Sequence, residues 1–140
     1  LIFSGKSDVE NKNKEAEIIF YKNNIKNFDF NIEFHKKNDF GTYRSMVQSE
    51  VTIGSLSTLL REAFLFNKKT LSCDFIAKDE TQFASTGINY IKKCSFEEFE
   101  QRLLEVLSLD YKDYLKKVNN INAIYNTKIN TLEFLKNELD

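Results

Sequence analysis

A Rossmann-like α/β domain is the fold class this sequence predicts: a mostly parallel sheet of about five strands, helices on both faces and a helical C-terminal tail. Three observations predict it. Short apolar runs rich in β-branched or aromatic residues recur at positions 1–4, 30–35, 50–54, 69–73 and 88–92, each of strand length. Segments with helical spacing separate the first four, and alternating strand and helix needs right-handed crossovers, which make strands parallel. The length of 140 residues also fits one domain, since a chain of this size buries roughly two-thirds of its unfolded surface.

Taken in order, positions 8–25 set Ile18, Ile19 and Ile25 among charges, and Asp39 offers a cap to a helix reaching Ser49. Positions 56–66 carry the stripe Leu59, Leu60, Ala63 and Phe64. Positions 74–87 read as the one long loop, the kind of segment that often carries function. From Ser95 the pattern turns helical. Ser95-x-x-Glu98 is a capping box, followed by Phe96, Phe99, Leu103, Val106 and Leu107 on one face. Asp110 caps a segment with Tyr111, Tyr114, Leu115 and Val118, and Ile129, Leu132, Leu135 and Leu139 mark a last helix. The expected organisation is a Rossmann-like body over 1–94 with a helical tail over 95–140 packed on the same domain. The opening on the apolar run Leu1-Ile2-Phe3 reads as a cut just before a strand, and so as a fragment.

Composition removes several classes of function. Twenty Lys and Arg stand against 21 Asp and Glu, so nothing in the overall charge draws nucleic acid or an anionic membrane. No apolar run approaches the roughly 20 residues of a membrane span. Cys73 and Cys94 fit no metal-ligand spacing and make no disulfide framework, which favours a reduced, cytoplasmic setting and no metal.

Chemistry concentrates between Ser49 and Cys73, which reads strand, turn at Gly54, hydroxyl-rich helix start, helix, strand. A parallel strand ending in Gly and followed by Ser55, Ser57 and Thr58 aims backbone amides and hydroxyls at one spot, where the helix dipole adds partial positive charge. An anion fits there. Glu62 lies one turn beyond Thr58, about 6 Å along the helix, where a carboxylate can accept hydrogen bonds from sugar hydroxyls such as those of a ribose. From the pattern alone the plainer alternative stands level: a serine cap and a solvated glutamate.

The string from Glu50 to Ala63, EVTIGSLSTLLREA, resembles the C-terminal domain of two-Rossmann-fold (GT-B) glycosyltransferases, closest to surface carbohydrate biosynthesis proteins. The turn Asn67-Lys68-Lys69, the run Cys94-Ser95-Phe96-Glu97-Glu98-Phe99 and the step Leu109-Asp110-Tyr111 share the likeness. The resemblance implies the nucleotide-sugar-binding half of a cytoplasmic transferase, near the inner face of the membrane or free of it. It puts Ser57 and Thr58 at the donor phosphates, Glu62 at the ribose, and Gly54 and Ser55 at the approach. A nucleotide sugar would be the donor, a glycan or lipid-linked group the acceptor, and no cofactor would be needed. A missing N-terminal domain would supply the acceptor site and the general base. Many retaining members carry a second Glu eight positions before the ribose carboxylate, where this chain has Gly54, so the resemblance does not extend to a retaining outcome. A sugar-nucleotide epimerase of the same architecture, and a non-catalytic domain that binds a nucleotide or a protein, are the alternatives.

Gly5 and Lys6 follow the first strand and form a loop where a lysine can meet a diphosphate, with an ordinary surface lysine as the commoner alternative. His35, the single histidine, ends a strand beside Lys36 and Lys37 and is expected to be a solvated loop residue.

Overall fold

Strands and helices alternate through the first half of a mixed α/β structure. The computed structural model describes residues 2–4, 13–24, 31–35, 40–55, 57–76 and 83–125. The chain divides into two compact units, residues 1–49 and 50–140. Gly5, Lys6 and the helix expected around Ile129 to Leu139 lie outside the described residues.

The first unit contains β1 (Ile2–Ser4), α1 (Lys14–Asn24), β2 (Asn31–Glu33) and α2 (Gly41–Gln48). The two strands are parallel, with Phe3 opposite Ile32. Glu15 and Glu17 in the first turn of α1 and Lys22 in its last complement the helix dipole. The start of α2 differs from expectation. Its N-cap is Phe40, in the left-handed region at φ 48° and without a side-chain capping bond, while Asp39 lies outside the described residues. Glycine is required next, because a Cβ on Gly41 would collide with the His35 imidazole.

The second unit contains β3 (Val51–Gly54), α3 (Thr58–Leu65), β4 (Lys69–Asp74), β5 (Thr86–Gly87), β6 (Tyr90–Lys92), α4 (Phe96–Ser108), α5 (Tyr111–Lys116), β7 (Val118–Asn119) and α6 (Asn122–Tyr125). β3, β4 and β6 form a parallel sheet in that order, with Ile53 opposite Leu71 and Cys73 opposite Ile91. β5 and β7 make a separate antiparallel pair. The mixed α/β character and parallel pairing agree with the sequence, but the described parallel strands make a sheet of two and a sheet of three rather than the one expected sheet of about five.

Period-2 alternation gives β4 two different faces. Leu71 and Cys73 pack with Ile91 against Phe99 and Leu103 of α4. On the other face Tyr114 of α5, wholly buried, donates its hydroxyl hydrogen to the Thr70 carbonyl at 3.0 Å and accepts from the Thr70 amide at 3.1 Å. Leu60 and Phe64 of α3 join Tyr114, Val106, Ile88 and Val118 in the larger cluster. Lys69, only 8% exposed at its side chain, donates to the carbonyls of Val106, Leu107 and Leu109 and pairs with Glu50 at 3.2 Å. Those carbonyls have no partner within the helix, so this buried ammonium closes the C-terminus of α4.

Helix ends follow local chemistry. Asn67 at φ 54° ends α3, with the Lys68 amide donating back to Ala63 and the Asn67 amide to Phe64, the Schellman pattern. Asp110 caps α5 as expected, accepting from the Asp113 amide at 2.8 Å. The tail is not wholly helical, however. Val118, read as the end of a helical stripe, sits in β7 and pairs with Gly87. Gly87 has φ 97°, and a Cβ there would strike the Lys117 carbonyl, so only glycine lets the two segments meet.

Candidate functional site at the strand ends

In parallel α/β sheets ligands bind outside the carboxyl ends of the strands. A cavity of about 530 Å³ occupies that position in the second unit. β3 contributes Ile53, Gly54 and the following Ser55, β4 contributes Cys73 and the following Phe75, the link into α4 contributes Cys94 and Ser95, and α4 itself contributes Phe96 and Phe99. The wall is overwhelmingly apolar. Ile53, Phe75 and Phe96 are all exposed, so their carbon surface is open to a ligand. The rings of Phe96 and Phe99 lie 6.4 Å apart at 41°. Burial, with the nearby Cys94 thiol adding to it, pushes the Cys73 thiol up to about 11. At neutral pH Cys73 is therefore an uncharged wall group rather than a nucleophile.

The expected anion corner is present, but its parts separate. Gly54 and Ser55 stand in the cavity wall, whereas Ser57, Thr58 and Glu62 are outside it on α3. Ser57 is the N-cap of α3, and its Oγ accepts from the Leu59 amide at a long 3.3 Å. That bond takes one donor an anion would use. Thr58, the first helical residue, is exposed, and its amide meets no acceptor among the described residues. Glu62 is half-buried, with no hydrogen-bond or ion-pair partner for its carboxylate among the described residues. Gly54 is not forced by space or by a left-handed backbone. A Cβ there would meet Leu60 and Ser57 at 3.8 Å, an ordinary contact.

A second helix start adjoins the same cavity. Ser95 Oγ accepts from the Glu98 amide at 3.2 Å, and the Glu98 carboxylate accepts from the Ser95 amide at 2.8 Å, the reciprocal pair of a capping box. Hydrogen bonds from its own amide and from the Ser95 hydroxyl hold the Glu97 carboxyl below the usual carboxylate range. The amides of Ser95, Glu97 and Glu98 are thus occupied, and the two glutamates make this start negatively charged.

A polar groove of about 400 Å³ runs beside β6, lined by Lys92, Lys93, Glu98 and Arg102 among others. Arg102 is committed there to the carbonyls of Gly87, Ile88 and Tyr90 at 3.0–3.3 Å. Among the described residues no group of three or more His, Cys, Asp or Glu could hold a metal ion, and no helix is long and apolar enough to cross a membrane.

In the first unit His35 is not the solvated residue its neighbours imply. It is half-buried against Gly41, and its Nε2 lies 3.8 Å from Glu33 Oε2, beyond hydrogen-bond reach. Ser45 Oγ takes that same oxygen at 2.5 Å and ties α2 to β2. The aromatic wall was the feature sequence reasoning missed. Its signal was Phe96 at the first position of an amphipathic helix, read there as core although 57% of it is exposed.

No protein-family model matches the chain, and no curated protein or solved structure matches it either.

Proposed function

We propose that residues 50–140 bind the nucleotide of an activated sugar and act as the donor-binding half of a glycosyltransferase in surface polysaccharide synthesis. One observation carries this: an aromatic cavity at the carboxyl ends of three parallel strands, with the Gly54–Ser55 turn in its wall and the start of α3 beside it. The nucleoside lies in the cavity. Its diphosphate passes Ser55 toward Ser57 and Thr58, where an amide without an acceptor among the described residues and the helix dipole favour negative charge on the leaving group. Glu62, one turn further along α3, then faces the hydroxyls of the transferred sugar rather than the ribose. On this reading the three-stranded sheet of β3, β4 and β6 carries the donor site, and a second α/β domain supplies the acceptor site and general base in the cytoplasm.

Calorimetric titration with UDP and with UDP-glucose tests the proposal. Both are expected to bind the wild-type chain. Glu62→Ala should weaken the nucleotide sugar by roughly 1–3 kcal/mol through lost charged hydrogen bonds and leave UDP unchanged. Absence of binding by either probe would refute the site.

A further inference from the structure

The wall of the cavity also bears on which nucleotides it accepts, an inference that rests on placing the nucleoside there. Sites that tell one base from another do so by hydrogen bonds to the base edge, because a mismatched base leaves a buried donor or acceptor unpaired. Among the described residues this wall has little to offer of that kind. Ile53, Phe75, Phe96 and Phe99 present only carbon, and the Cys73 thiol is protonated at neutral pH and a weak donor. Ser95 has its hydroxyl engaged with Glu97 and Glu98. The remaining hydroxyl, that of Ser55, lies on the side of the cavity nearest α3, where the diphosphate passes. What the cavity does provide is ring surface, and every base has a π-face that can stack on it. Its volume of about 530 Å³ also exceeds what either a purine or a pyrimidine needs.

We infer that the site is tolerant of the base: it binds purine and pyrimidine nucleoside diphosphates alike, and donor selection falls on the sugar. Calorimetric titration of UDP, CDP, ADP and GDP into the full chain, repeated with Phe96→Ala, tests this. All four dissociation constants should fall within tenfold of one another. Loss of the exposed Phe96 ring should weaken all four by a similar factor, roughly 5-fold or more for a lost stacking partner. A spread beyond tenfold, a Phe96→Ala effect confined to one base, or no effect of Phe96→Ala would overturn base tolerance while leaving a nucleotide site in place. Binding of none of the four overturns the nucleotide reading and base tolerance with it. A thermal melt confirms that Phe96→Ala folds, as expected for a side chain 57% exposed.

Discussion

Two helices begin beside the same cavity, each from a serine cap, and they differ in what they leave for a ligand. At α4 the third helical residue is Glu98, whose carboxylate reaches back to the Ser95 amide and closes the end. At α3 the third helical residue is Leu60, which turns into the core, so Ser57 makes a single long bond and no acidic residue occupies the first turn. A serine cap alone therefore does not mark a ligand site. The residue three positions later decides whether the end serves stability or remains open to an anion.

The contrast can be broken most severely at the far end of α4. Lys69→Met removes the ammonium that closes three carbonyls and pairs with Glu50, and should cost roughly 3 kcal/mol in urea denaturation. A smaller change probes the caps directly. Ser95→Ala should cost about 1–2 kcal/mol, whereas Ser57→Ala should cost about 0.5 kcal/mol, since its bond is longer and unreciprocated. Equal costs would erase the distinction. Gly54→Ala should change stability by less than about 0.5 kcal/mol, because a methyl group meets only ordinary contacts there.

The mildest effect is one of pH. The Glu97 carboxyl is held below its usual range by hydrogen bonds to the ionised form, so its contribution is present above the ordinary carboxylate pKa and fades as pH falls through the lowered folded value. Protection of the amides at the start of α4, taken relative to the intrinsic exchange rate at each pH, should fall on acidification into that range. The start of α3, with no carboxylate in its first turn, should not respond in the same way.

Much of this was legible in the residues. Ser95-x-x-Glu98 and Asp110 announced two caps that the structure forms, and the apolar runs marked the strands of the two parallel sheets but not the β5–β7 pair. Legibility ended where distant segments decide. Val118 reads as helical in its own neighbourhood, but Gly87, far back in the chain, recruits it into a strand pair. His35 reads as solvated beside two lysines, yet a glycine in α2 makes room for its ring. The cavity was hidden for the same reason. Ile53 and Phe96 look like core residues and Phe75 like part of a loop, and only the parallel register of β3, β4 and β6 brings them to one edge.

Amide chemical shifts recorded during titration with inorganic pyrophosphate test the central distinction most directly, since this probe has charge but no base. Ser55, Thr58 and Leu59 should shift while Phe96, Glu97 and Glu98 stay in place. Shifts centred on the α4 start, or none at α3, would contradict the anion seat assigned here.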